Sequence, residues 1–230
     1  MKVLIVASQK GGAGKTTLAA HLAVAAEEVL PKKVVILDGD PQGSLSAWWN
    51  SREFEYPALA SSTLDELPEK IDQLKEAGFE LVIIDTPPAI TNAITKMVSM
   101  ADLVLIPTRP SPHDLRAVGS TVNIALEENK PFIFVVTQAK ANARLTTQAM
   151  AALSEHGTVS STIIHDRVEY ASSMINGETV GEVNKRSRSA DEINQLLNFV
   201  LERMNVITKK RNKKVLWWWK KSKLKIYLVW

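Results

Sequence analysis

A chain of 230 residues is long enough for one domain with a substantial core, and 45% hydrophobic with 23% charged residues is the composition of a soluble globular protein. It contains no cysteine, which excludes disulfides, thiolate metal sites and a cysteine nucleophile. The net charge of +3 is unevenly placed: nine of the 28 Lys/Arg residues and no acid lie between Thr208 and Trp230, leaving 19 basic against 25 acidic residues, or −6, over residues 1–207.

Apolar Val3-Leu4-Ile5-Val6-Ala7 predicts a buried strand over 2–7, beginning at once and leaving no room for a signal peptide. It empties into Gln9-Lys10-Gly11-Gly12-Ala13-Gly14-Lys15-Thr16-Thr17, and a helix follows over 15–29. Glycines let a loop curl so that several N–H groups meet at one point, and the helix N-terminus adds partial positive charge. Lys15 can reach β- and γ-phosphates, and the Thr16 hydroxyl can complete a Mg²⁺ shell, so the loop reads as a nucleoside-triphosphate cradle. It departs from the ordinary phosphate loop in carrying Gln9 where a glycine is usual and in holding a second lysine, Lys10.

Further strands are predicted at 33–38, 81–85, 102–107, 131–137 and 159–165, with helices at 63–77, 91–99, 113–128, 143–155 and 189–204. The strands are short and rich in Val, Ile and Leu with little polar alternation, as strands covered on both faces are. Strand and helix alternating at this spacing predict an α/β domain with a doubly wound, mostly parallel sheet, its ligands at the carboxyl edge. The chemistry-bearing residues fall at those edges. The second strand runs into Leu37-Asp38-Gly39-Asp40-Pro41-Gln42-Gly43-Ser44, where the acids read either as turn and capping residues or as groups that orient water or metal. The third ends Val82-Ile83-Ile84-Asp85-Thr86-Pro87, an acid placed to reach Mg²⁺ directly or through water.

The form Lys-Gly-Gly-x-Gly-Lys-Thr-Thr at residues 10–17 resembles the deviant Walker A motif of the ParA/MinD family of ATPases, and Asp38-Gly39-Asp40-Pro41-Gln42-Gly43-Ser44 resembles its ParA branch. The resemblance spans about residues 1–204 and is strongest to small plasmid-partition ParA proteins without an N-terminal helix-turn-helix. It implies a P-loop NTPase of the deviant Walker A type, with ATP and Mg²⁺ as its cofactors. Catalytic roles fall to Lys10, Lys15 and Asp40, with Lys10 crossing to the partner's nucleotide when two monomers sandwich two ATP molecules; a solvated surface lysine is the alternative. Nucleotide contacts fall to Gly11, Gly12, Ala13, Gly14, Lys15, Thr16 and Thr17, and metal contacts to Thr16, Asp38 and Asp85. Pro107, in Leu105-Ile106-Pro107-Thr108-Arg109-Pro110-Ser111-Pro112, borders the nucleotide in such relatives, and Thr137 and Gln138 lie where relatives approach the adenine base. Arg167 fits a common family pattern or is a helix-surface charge.

The function implied is an ATPase that dimerises on ATP, binds DNA non-specifically and drives plasmid or chromosome partition. It would work with a ParB-like or other small DNA-binding adaptor, in the cytoplasm and at the nucleoid in the ATP state. Lys140, Arg144, Lys185, Arg186 and Arg188 are candidate DNA contacts, each also readable as solvated surface charge. The alternatives are a MinD-like membrane-associated positioning ATPase and an ATP-dependent ligase of the dethiobiotin synthetase type. The domain is expected to end near residue 206. The Trp/Lys-rich tail 207–230 reads as a nucleic-acid arm, an interfacial membrane segment or accidental coding.

Overall fold

The structure, a computed structural model, describes residues 1–88, 92–141 and 143–206. The basic tail lies outside the described residues. Seven strands form one parallel sheet: β1 (Lys2–Val6), β2 (Val34–Asp38), β3 (Ala58–Ala60), β4 (Leu81–Asp85), β5 (Leu103–Thr108), β6 (Phe132–Val136) and β7 (Thr158–Val159), in the order β3-β2-β4-β1-β5-β6-β7. The helices are α1 (Lys15–Glu27), α2 (Ser44–Asn50), α3 (Leu67–Glu76), α4 (Asn92–Ser99), α5 (Pro112–Glu127), α6 (Arg144–Ser154), α7 (Val168–Ile175), α8 (Val180–Val183) and α9 (Arg188–Arg203).

Both faces of the sheet are covered, which is why its strands carry unbroken apolar runs. Successive strand residues point to opposite faces. Leu4, Val6, Ile36, Ile83, Leu105 and Val135 pack with α1, α2 and α9 on one side. Ile5, Leu37, Ile84, Val104, Phe134 and Val136 pack with α3, α4 and α5 on the other. α1 lies against the sheet beneath α9, and its Leu18, Ala19, Ala20, Leu22, Ala23 and Ala26 are all buried. The small alanines let α1 approach its neighbours closely, which anchors the loop before it to the rigid centre of the fold.

Register decides which groups meet at the carboxyl edge. β1 sits between β4 and β5, with Val6 opposite Asp85, and β2 pairs with β4 so that Asp38 also lies opposite Asp85. Pro107 is buried inside β5 and paired with Val135. The Leu105 carbonyl accepts the Ala7 N–H, so Pro107, two residues on, turns its missing N–H to the β1 side just beyond the end of that strand.

Several predicted boundaries move. The strand expected over 159–165 is only Thr158–Val159. Ser160 Oγ accepts the Thr162 N–H, and this local turn lifts the chain off the sheet until Ile164 N–H bonds to the Val136 carbonyl. The helix expected from 63 starts at Leu67, with Pro68 in its first turn. Short β3, α2, α7 and α8 were not predicted. Each is too short for a periodic signal and is held by distant partners, as where Arg52, almost wholly buried, donates to the Gly177 and Tyr56 carbonyls and pairs with Glu182.

Candidate nucleotide site

The loop between β1 and α1 turns on two left-handed residues, Gly12 (φ 75°) and Gly14 (φ 92°). Gly14 caps α1 without a side-chain hydrogen bond, so the helix offers its first free N–H groups to the loop. Lys15 is only 7% exposed. Burial pulls its ammonium below the ordinary lysine range, while the charges of Asp85 and Asp40 act the other way. Thr16 Oγ1 donates to Asp85 Oδ2 at 2.5 Å.

Asp85 is 1% exposed, and its Oδ1 has no hydrogen-bond partner among the described residues. Burial pushes this carboxyl up to about 7, although Thr16 and Lys15 favour the anion; the nearby Asp38 and Asp40 add to the rise. A buried carboxylate with an orphaned oxygen beside a threonine hydroxyl fits a divalent cation, whose charge would relieve both deficits. Among the described residues no group of three or more His, Asp or Glu gathers as a protein-only metal cage, which suits a cation completed by phosphates and water.

The turn after β2 closes the same corner. Gly39 N–H donates to the Asp85 carbonyl at 2.9 Å, and a Cβ at Gly39 would stand 2.6 Å from Met97 Cε and 2.7 Å from that carbonyl. Only glycine fits there. Asp38, expected among the metal ligands, commits both oxygens to backbone amides, Oδ1 to Asp40 N–H at 3.1 Å and Oδ2 to Ser46 N–H at 2.8 Å. These are the bonds of a turn and capping residue. Asp40 accepts from Gln42 N–H at 3.0 Å and is half-buried at the edge, close enough to influence Lys15.

On the opposite side, Thr137 Oγ1 donates to the Ala13 carbonyl at 2.9 Å and Gln138 Nε2 to the Gly12 carbonyl at 2.6 Å. These two residues, expected where a base approaches, brace the phosphate loop. They also line a cavity of about 180 Å³ whose other walls include Gly14, Thr17, Leu18 and Tyr170. A wider cleft of about 580 Å³ opens beside it, lined by Lys10, Arg109, His113, Gln138 and Lys140. Lys10 is exposed at its rim. Arg109 is pinned by Asp114 (Nε to Oδ1, 2.9 Å), and a side chain added at Gly12 would first meet Arg109 Nη1, at 3.6 Å. Arg109, from the segment expected to border the nucleotide, lines this cleft with its partner Asp114, and the structure adds Glu192, the buried partner of Arg167. Ser111 capping its N–H was the one local signal for Asp114. Arg167 is no free surface charge. Of the candidate DNA contacts, Lys185 is paired with Glu28.

A glycine loop between a central parallel strand and a buried helix, with a cationic lysine and a strand-end acid converging on it, defines a P-loop nucleotide-binding domain. The family model of the CobQ/CobB/MinD/ParA nucleotide binding domain matches residues 4–180, and the chain belongs to that family, among its ParA/MinD ATPases. It is 32% identical over 210 residues to the maintenance of carboxysome distribution protein A of Halothiobacillus neapolitanus, covering 86% of this chain and 95% of that one. It is 33% identical over 159 residues to Protein ParA of Rhizobium radiobacter, covering 68% of each. Among solved structures, a Cyanothece McdA variant in complex with ATP superposes with a TM-score of 0.70 at 22% identity, over 90% of this chain and 97% of that one. MinD of Pyrococcus horikoshii complexed with Mg-ADP gives 0.72 at 17% identity, over 86% and 95%. These likenesses show a shared fold.

Proposed function

We propose that this chain is a cargo-positioning ATPase of the partition type. It dimerises around ATP, binds DNA non-specifically in that state, and moves a plasmid, a chromosome region or a protein assembly with a ParB-like or other small DNA-binding adaptor. Its place of action is the cytoplasm, at the nucleoid when ATP is bound. The observation that carries this reading is the pair of lysines on one loop. Lys15 is buried against Asp85 and Asp40, whereas Lys10 stands exposed at the rim, free for a phosphate presented by a facing copy.

In the mechanism that follows, the loop N–H groups and the α1 N-terminus take the β- and γ-phosphates, and Lys15 adds a fixed charge. Thr16 and Asp85 would hold Mg²⁺, which when bound neutralises phosphate charge during transfer. Asp38 shapes the turn that aims Asp40. Asp40 orients the water that attacks the γ-phosphoryl group, giving ADP and phosphate. The nucleoside lies in the cavity walled by Leu18, Gln138 and Tyr170. Among the described residues no helix is long and apolar enough to cross a membrane; the Trp/Lys-rich composition of the tail is what supports the MinD-like alternative.

The test compares DNA binding by the full chain and by a chain ending at Val206, each with ATP, ADP or no nucleotide. ATP-dependent, salt-sensitive binding that survives truncation and is lost in Lys10→Ala is the expected result. Binding that disappears with the tail and ignores nucleotide would remove DNA from the function and leave the ATPase.

A further inference from the structure

The wall of the nucleoside cavity is held from the far end of the domain. Five donors converge on the Glu192 carboxylate of α9: His165 N–H at 3.1 Å, His165 Nδ1 at 2.8 Å, Arg167 Nε at 3.0 Å and Nη2 at 2.7 Å, and the Tyr170 hydroxyl at 2.9 Å. Glu192 is 9% exposed. Burial opposes its charge, yet the hydrogen bonds from Arg167, His165 and Tyr170 outweigh it and hold the carboxyl below its ordinary value. All three of its partner residues line the cavity that also contains Gly14, Thr17 and Leu18.

α9 does not need this group in order to pack. Ile193, Leu196, Leu197 and Val200 already bury its apolar face in the core shared with α1. A buried ion pair is commonly no more stabilising than an apolar replacement. What the carboxylate does uniquely is organise residues 160–167, which belong to no helix or strand. His165 makes only an isolated bridge to Ala139, and the chain reaches α7 through Arg167. Without Glu192 the side chains of His165 and Arg167 would have no other fixed anchor among the described residues.

We infer that Glu192 is a positioning residue for the nucleoside half of the ligand. Through it α9 sets the cavity wall formed by His165, Arg167 and Tyr170, so that recognition of the nucleoside, but not of the phosphates, depends on the last helix. The inference rests on the nucleotide-binding reading above.

The experiment measures binding of ATP and of inorganic tripolyphosphate, both with Mg²⁺, to the full-length wild type, Glu192→Gln and Tyr170→Phe. In Glu192→Gln one acceptor oxygen becomes an NH₂ facing donors, and ATP affinity is expected to fall about tenfold, the scale of a lost charge-assisted hydrogen bond. Tripolyphosphate, which has no nucleoside, should bind both variants as it binds wild type. Tyr170→Phe removes one hydroxyl without disturbing the ion pair and should weaken ATP about threefold; it carries the test if Glu192→Gln fails to fold. Unchanged ATP affinity in the variants, or equal losses of ATP and tripolyphosphate, would overturn the inference. A wild type that binds neither ligand would instead overturn the nucleotide-binding reading beneath it.

Discussion

On the phosphate side of the cleft, β1, the loop that follows it and α1 form one continuous strand–loop–helix segment, and a single register pairing brings Asp85 to it. On the nucleoside side, the wall is assembled from the β6 end, the irregular chain at 160–167, α7 and α9. The first region gets its geometry from backbone conformation and the rigid centre of the sheet. The second gets it from side-chain hydrogen bonds between residues 22 to 126 positions apart in sequence. A site built this way should lose its phosphate half through single local changes and its nucleoside half only gradually.

The largest expected effect is therefore at Lys15. Lys15→Ala should lower ATP affinity by about 100-fold or more, because a buried charge-assisted contact disappears at the centre of the loop. Its melting temperature should stay near or above that of wild type, since a desolvated cation has been removed. Lys10→Ala should bind ATP normally and fail to dimerise in sedimentation. If Lys15→Ala binds within tenfold of wild type, the contrast between the two halves collapses.

A smaller effect should come from the braces that join the halves. Thr137→Val removes the hydroxyl that donates to the Ala13 carbonyl and leaves that carbonyl unpaired inside the loop. A loss of about fivefold in affinity is expected for ATP and tripolyphosphate alike, as one neutral hydrogen bond is worth. This equal loss distinguishes a brace of the loop from the selective loss expected at Glu192. A calorimetric titration with both ligands separates the two patterns.

The smallest effect is on stability as pH changes, and two groups oppose each other in it. Asp85 titrates at about 7 in the fold against an ordinary 3.8, so the folded state keeps a proton that the unfolded chain releases. Its contribution falls as pH rises from about 4 to about 7. His21 is buried on α1 with Nδ1 at 2.8 Å from the Thr17 carbonyl, and burial lowers it to about 4 from 6.5. Here the unfolded chain binds the extra proton, so stability rises with pH between about 4 and 6.5. The two slopes should partly cancel in wild type. Asp85→Asn should unmask the histidine, its melting temperature climbing with pH across this window more steeply than that of wild type; an unchanged slope would mean Asp85 is ionised throughout.

Which of these features could be read from the sequence follows from the range of the interactions that build them. The glycine loop with Thr16, the acid at the end of the strand before Thr86, and the parallel α/β architecture were legible because each depends on residues adjacent in sequence or on an unbroken apolar run. Backbone conformation at Gly12 and Gly14 and burial on both sheet faces are properties that a local window carries. The capping role of Asp38, the bracing role of Thr137 and Gln138, and the grip of Glu192 on the nucleoside wall were decided only by tertiary structure. In each case a polar side chain took partners that no local window of sequence specifies. Those partners were set by strand register and by the packing of α9, which bring donors and acceptors from distant segments within hydrogen-bond reach.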